Sequence, residues 1–541
     1  MHFSVPEKIT GYNKVVQLLW LLLTVIVFLL VLLIRIRLLG IPLERDEGEY
    51  AYIGQLMLQG IAPYKLAYSM KFPGTAAAYA VIMSIFGQTT PALHLGLIFI
   101  NAATVGLVFL LGRRLMNWTA GIAAAVSYAV LSLSPSVLGL AGHATHFIML
   151  PVLAGILVLL TVPNRGGLAQ IFASGLLFGL GLLMKQPALF FVLFGALYLL
   201  LRDIKDRLPP KTILLRNLSF GGGTLIPFGI TCLLLCSAGV FGKFWFWTIA
   251  YASQYAGEIS FSEAAKNFIP NVIEAIGANW PLWVLAGLGL LAGLWSRRTR
   301  VNVFFLTGFL VFSILAASYR LYLRNHYFIL ILPAVSLLVG VAFDKLCNFV
   351  SHYPIPARLA PALLLGAALG WPIYQARNLF FYLTPVEACQ TIYSGNPFVE
   401  SVRVAQYLRD RTSSNEQIAV VGSEPEIYFY AHRHSATGYI YTYGLVEGQP
   451  YASEMQREMV QEVELSRPKY LVVIGVGASW LSKPGVQHPI FDWITDYTRQ
   501  NYDLVGFVNM LGPGRTDYYF DDIPESLPEL GNRIFVDRKK L

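Results

Sequence analysis

The chain has 541 residues, of which 55% are apolar and only 13% charged, and its net charge is +9. A soluble globular domain carries about a quarter of its residues as charges, so that class is excluded; a lipid solvent accounts for both the scarcity of charge and the excess of apolar side chains. The positive balance is no sign of nucleic-acid binding, because no basic-aromatic module accompanies it and the cations sit mainly in short loops between apolar runs.

A span needs about 20 mostly apolar residues. Runs that qualify lie near 16–37, 92–112, 119–138, 146–162, 168–184, 187–201, 218–239, 280–296, 302–317, 325–343 and 359–377. The reading is therefore a polytopic α-helical membrane protein with about eleven spans. No small-residue cleavage site follows the first run, which is expected to be a retained span. The stretch 75–87 is apolar but too short to cross, and is expected to lie at the interface or to re-enter. Cys232 and Cys236 fall inside an apolar run, and neither zinc spacing nor a disulfide framework is present.

With the N-terminus inside, loops holding Lys8, Arg113, Arg114, Arg165, Arg202, Arg297 and Arg298 become cytoplasmic, and cations are more than twice as dense there as on the opposite side. That satisfies the positive-inside rule, against which Arg35 and Arg37 stand as exceptions. Two long loops then face outward, 38–91 and 240–279, the second opening on the aromatic run Lys243-Phe-Trp-Phe-Trp247.

Beyond 389 the chain turns polar and alternates helix and strand signals. Helices are expected near 398–411, 424–431, 451–466 and 489–500, and strands at 418–422, 470–475 and 503–509. This alternation reads as an α/β domain with a mainly parallel sheet. The expected division is a transmembrane part, 1–388, with its first external loop at 38–91, followed by an extracytoplasmic α/β domain, 389–541. No strand is followed by a dinucleotide fingerprint, so no nucleotide is assigned.

The first external loop carries four carboxylates within six residues: Glu44, Asp46, Glu47 and Glu49. An amphipathic stretch, 50–58, separates them from Lys71. A carboxylate takes a proton from a hydroxyl that attacks a sugar carbon, and a cation steadies the charge that develops on a departing phosphate. A solvated acidic loop is the bland alternative. Against it, His94, His143, His146, Lys185, Arg320, Arg324 and His326 all fall at external span ends, where ionisable groups are costly. His143 and His146 without a third ligand are weak grounds for a metal.

Asp46-Glu-Gly-Glu-Tyr50, then Gly60, Pro63-Tyr64 and Lys71-Phe-Pro73 before an apolar helix, resemble the first external loop of C-type membrane glycosyltransferases. The protein O-mannosyltransferase-like group and the bacterial transferase that places aminoarabinose on lipid A are the relatives in view. Leu183-Met-Lys-Gln-Pro187 and Arg324-Asn-His-Tyr-Phe328 resemble two further elements of that family. The resemblance implies an inverting transferase with a polyprenyl- or dolichyl-phosphate sugar donor and an extracytoplasmic acceptor hydroxyl on protein, lipid or glycan.

In that frame Asp46, with Glu47, is the catalytic carboxylate. Lys71, Lys185 and Arg324 meet the donor phosphate, and Glu49, Tyr50, Tyr64, His143, His146, His326 and Tyr327 line the substrate cavity. No cofactor is obligatory, although a divalent cation is compatible with the site. The setting is a plasma membrane, expected to be a bacterial inner membrane. Two departures stand out: Met70 occupies a position where the family often has an acid, and Glu49 one where a base is common. The rival readings are a transporter or lipid flippase, which the lack of an internal repeat disfavours, and a catalytically dead scaffold.

Overall fold

A computed structural model describes residues 14–164, 166–255, 261–296, 299–319, 323–481, 488–512, 514–524 and 531–540. Lys8, Arg165, Arg297, Arg298 and Arg320, used in the reading above, lie outside the described residues.

Among the described residues, nine helices are long and apolar enough to cross a bilayer. Two more of the expected spans, Trp118–Leu131 and Leu168–Met184, are apolar helices of 14 and 17 residues. The first of these stops well short of the expected residue 138. There the chain folds through the 3₁₀ turn Pro135–Val137 and sets Leu138 in a left-handed conformation. Outward-facing leucines such as Leu225 and Leu291 remain about two-thirds exposed, at 65% and 67%. Helices that are apolar on their open face belong in lipid, where each satisfies its own backbone hydrogen bonds. The chain is a multi-pass membrane protein.

Further boundaries differ from expectation. The stretch up to 279, read as loop, contains the helix Phe261–Ile276, and the apolar helical run extends over Lys266–Trp295. Exposed Phe268, Ile269 and Ile273 make this stretch a continuation of the apolar surface. The late span read from 325 instead begins at Leu332, after the 3₁₀ segment Asn325–Leu330.

The chain divides into two compact units. The first comprises residues 1–38, 95–230 and 261–382, and its described residues are helical. Its helices approach closely where small residues permit. A side chain at Gly175 or Gly179 in the helix Leu168–Met184 would run into the carbonyls of Phe220 and Thr224 in Pro210–Ser237. Lipid gives helices no hydrophobic drive to associate, so contact of this kind holds them together.

The second unit comprises 39–94, 231–260 and 383–541. The loop that follows the first span thus folds with the C-terminal residues. It contributes the helices Arg45–Leu58 and Gly74–Phe86. The latter is the short apolar helix expected from 75–87.

The C-terminal part is built on one six-stranded sheet: β1 (Gln417–Val421), β2 (His434–Ser435), β3 (Tyr470–Gly475), β4 (Tyr502–Gly512), β5 (Arg515–Phe520) and β6 (Asn532–Lys539), in the order β2-β1-β3-β6-β4-β5. Helices Phe398–Arg411, Glu426–Ala431, Ala452–Ser466 and Pro489–Asn501 fall where the alternation predicts. The expectation of a mainly parallel sheet is corrected. Only β1–β2 and β1–β3 are parallel, while β3–β6, β4–β6 and β4–β5 are antiparallel. In the second half of the sheet β5 pairs with β4, and β6 inserts between β3 and β4, antiparallel to both; antiparallel pairing needs no helical crossover.

Candidate active site

The helix Arg45–Leu58 starts at Glu44, whose side chain accepts from the Glu47 backbone N–H, while Glu47 reaches back to the N–H of Glu44. This capping box fixes the first turn. Residues three and four apart share a helix face, so the sequence sorts its side chains by spacing. Arg45, Gly48 and Tyr52 turn to the C-terminal residues. Asp46, Glu49 and Tyr50 turn to Lys71.

On the first face, the Arg45 guanidinium donates to Glu424 (2.7 Å) and to the Ser423 carbonyl (2.6 Å). Ser479 donates to the other Glu424 oxygen. Gly48 lies against Glu426, which accepts from Ser401 (2.7 Å). Tyr52 stacks on Tyr428 and accepts from the Ser435 backbone N–H. Burial is resisted by the charge of Arg45, but Glu424 outweighs it and holds the guanidinium above its ordinary range.

On the second face, Lys71 Nζ donates to Asp46 Oδ1 (2.7 Å) and to Glu49 Oε2 (2.5 Å). Ser69 Oγ donates to the other Glu49 oxygen (2.5 Å) and accepts from the Lys71 backbone N–H (3.1 Å). The Tyr441 hydroxyl stands 3.4 Å from Asp46 Oδ1. Lys71 also lies over the rings of Tyr50 and Tyr441, at 4.6 and 5.6 Å. Tyr64, in a left-handed backbone conformation, donates to the Lys71 carbonyl (2.7 Å). Burial works against the lysine's charge, yet Asp46 and Glu49 prevail and keep its ammonium well above the usual range. Glu44 is raised as well: burial first, then Asp46 and Glu47, push it well above the ordinary carboxylate range.

The residues expected from the first loop therefore converge: Asp46, Glu49, Tyr50, Tyr64 and Lys71 form one group. Glu47 is set apart. Its carboxylate serves the capping box and lies 3.1 Å from His94 Nε2, whose other nitrogen meets the Leu39 carbonyl. Ser69, Tyr441, Arg45 and Glu424 were not anticipated. Ser69 lies two residues before Lys71, where spacing alone gives no signal, and Tyr441 arrives from a distant part of the chain.

The remaining candidates lie in the helical unit. His143 and His326 stack, with ring centroids 4.3 Å apart, and both are buried. His146 is one turn beyond His143 and also buried. The Lys185 ammonium lies over the Tyr327 ring at 4.7 Å. Arg324 stands immediately before the 3₁₀ segment that carries His326 and Tyr327. Lys185, Tyr327, His326 and His143 are thus brought together within that unit.

Residues 71–220 match the family described as dolichyl-phosphate-mannose-protein mannosyltransferase. No curated protein matches the chain by sequence. Among solved structures, ArnT from Cupriavidus metallidurans in the apo state aligns with 94% of this chain and 99% of its own, at 15% identity and a TM-score of 0.58. The same protein bound to undecaprenyl phosphate aligns over 94% and 99%, at 15% identity and a TM-score of 0.55. The archaeal oligosaccharyltransferase AglB from Archaeoglobus fulgidus, in complex with an inhibitory peptide and a dolichol-phosphate, aligns with 95% of this chain and 76% of its own, at 14% identity and a TM-score of 0.51. The architecture is that of C-type membrane glycosyltransferases. The family match and the shared fold together bear out the resemblance read from the first loop.

Proposed function

We propose that the chain is an inverting glycosyltransferase that moves a sugar from a polyprenyl- or dolichyl-phosphate donor to a hydroxyl acceptor outside the cytoplasm. The single observation that carries this reading is the Asp46 carboxylate, held at 2.7 Å by Lys71 at the start of the family-matched segment. The solved relatives that bind undecaprenyl phosphate and dolichol-phosphate support the donor class, and an acceptor peptide tethered to the Archaeoglobus fulgidus oligosaccharyltransferase supports a protein acceptor.

In this reading the acceptor oxygen attacks the anomeric carbon as the bond from that carbon to the phosphate oxygen breaks. Asp46 takes the hydroxyl proton, and the lipid phosphate departs with the bonding electron pair. One displacement inverts the anomeric centre. Glu47 holds the turn that presents Asp46 rather than taking a proton itself, because its carboxylate is occupied by the cap and His94. Lys185 and Arg324 are the proposed phosphate ligands, since positive groups at the leaving oxygen stabilise the charge formed there. Tyr50, Tyr64, His143, His146, His326 and Tyr327 are proposed to line the cavity. No cofactor is obligatory, because lysine and arginine supply the positive charge; a divalent cation is compatible with the carboxylates. The proposed setting is a bacterial inner membrane with the N-terminus cytoplasmic and residues 389–541 forming an extracytoplasmic domain.

The test is Asp46→Asn in purified, reconstituted protein supplied with radiolabelled polyprenyl-phosphate sugars, with and without EDTA. Transfer is expected to be abolished while donor binding persists. Full transfer by the variant would remove the assigned base. Uptake of the sugar without covalent product would favour a transporter.

A further inference from the structure

His94 lies in the first turns of the helix Thr90–Leu115, and the sugar-transfer reading gives it no part. Its side chain is nonetheless buried, and both ring nitrogens are engaged. Nδ1 lies 2.8 Å from the Leu39 carbonyl oxygen, and Nε2 lies 3.1 Å from Glu47 Oε1. A carbonyl oxygen only accepts, so Nδ1 carries the hydrogen of that bond. A neutral imidazole with its hydrogen on Nδ1 has none on Nε2, and an ionised carboxylate has none to give. Two bare acceptors would then face each other away from water, a costly state. The contact closes when one further proton lies between Nε2 and Glu47.

The pair sits where it can steer the base. Leu39 comes two residues after the first span ends, and Glu47 closes the capping box with Glu44. Glu47 is 1% exposed; one oxygen accepts from the Glu44 N–H (3.4 Å) and the other faces His94. Asp46 stands between two anchored neighbours. Arg45, before it, is tied to Glu424, and Glu47, after it, is tied to His94. Asp46 itself is more open: its carboxylate and the Lys71 ammonium that meets it are both partly exposed. The aim of the Asp46 side chain therefore depends on the backbone of this turn, which its neighbours hold.

We infer that His94 is a positioning residue for the base: sharing one proton with Glu47, it ties the turn that presents Asp46 to the backbone at Leu39. This rests on the transferase reading and adds a residue to it. It also gives the second acid of the Asp46-Glu47 pair a task that needs a hydrogen bond and no proton exchange with the acceptor. The cations expected at the donor phosphate, Lys71 among them, are untouched. The effect therefore falls on turnover and not on donor affinity.

The experiment measures kcat, donor KM and melting temperature in reconstituted wild type, His94→Asn, His94→Gln, Glu47→Gln and Glu47→Ala. In parallel, the ring nitrogens of His94 are observed by solid-state NMR in protein labelled with 15N-histidine, the signal being assigned by its loss in His94→Gln. Asparagine keeps a donor for the Leu39 carbonyl and loses the one for Glu47; glutamine places its amide nitrogen where Nε2 stood. His94→Asn is expected to lower kcat by about tenfold or more, with donor KM within about twofold. His94→Gln retains several times the kcat of His94→Asn. Glu47→Gln still accepts from the Glu44 N–H and donates to a neutral His94, so it retains about ten times the kcat of Glu47→Ala. In wild type the Nε2 signal lies away from that of a free, unprotonated ring nitrogen, and in Glu47→Ala it returns there. Wild-type turnover in His94→Asn overturns the inference. So does a Glu47→Gln protein as inactive as Glu47→Ala, because Glu47 would then act through its charge. Activity that merely follows the melting temperature through the whole set overturns it too. If wild type transfers no sugar from any lipid phosphate, the transferase reading fails instead, and the Nε2 signal alone decides whether His94 and Glu47 share a proton.

Discussion

Gly48 is the position at which the site depends most directly on packing. A Cβ there would stand 2.7 Å from the backbone nitrogen and from the Cβ of Glu426, and 2.9 Å from its Cα. The neighbour is backbone, so it has no rotamer to give. Carbon contacts are comfortable near about 3.5 Å, so the helix Arg45–Leu58 must withdraw by nearly 1 Å. Overpacking of this size costs about 1–3 kcal/mol, of which the better helix propensity of alanine returns up to about 1 kcal/mol. Asp46 and Glu49 flank Gly48 and move with it, whereas Lys71 is held on a separate segment by Ser69 and Tyr64. A misplacement near 1 Å costs on the order of a hundredfold in rate. Gly48→Ala is therefore expected to lower the melting temperature modestly and kcat by about 10–100-fold, measured by intrinsic fluorescence and by transfer kinetics in the same preparation. Gly106→Ala is the control, because nothing lies within 4 Å of its added carbon; it should be neutral or slightly stabilising. A Gly48→Ala protein with wild-type melting and turnover would refute the reasoning.

Two further outcomes follow from the same interface. Arg45→Ala leaves Glu424 buried without its guanidinium partner, and is expected to cost about 3–5 kcal/mol, while Arg45→Met with Glu424→Leu recovers most of the loss in chemical unfolding. Glu426 is raised to about 8, by burial first and then by the charge of Glu424. Between the ordinary carboxylate range and pH 8 the folded state therefore keeps a proton that the unfolded state has lost, so this contribution is full in acid and disappears as the pH rises through about 8. Melting between pH 6 and 9 should fall more steeply in wild type than in Glu426→Gln; equal slopes would contradict the assignment.

The membrane part was legible because its signal is compositional. Long apolar runs have one reading, and errors arose where a helix continued through residues that look like loop, as at Phe261–Ile276, stopped early, as before Leu138, or began late, as at Leu332. In the C-terminal part the helices and the central strands carry strong periodic signals. The last strands do not: β5 and β6 contain Arg515, Asp517, Asn532 and Asp537 among their apolar residues, and pairing direction is set by connections that composition does not encode.

The site was legible up to the point at which partners must be chosen. Helical spacing alone places Asp46, Glu49 and Tyr50 on one face and Arg45, Gly48 and Tyr52 on another. Which face carries the chemistry is not local information, because the arginine and the lysine both look like available cations in the sequence. The fold separates them by their counter-ions. Arg45 is matched one to one by Glu424 within a closed set of hydrogen bonds, which is a means of attaching the helix. Lys71 is outnumbered by carboxylates, one of them only partly buried, and a group with charge left over beside solvent is what proton transfer requires. The acidic loop thus resolves into an anchoring face and a working face of one helix.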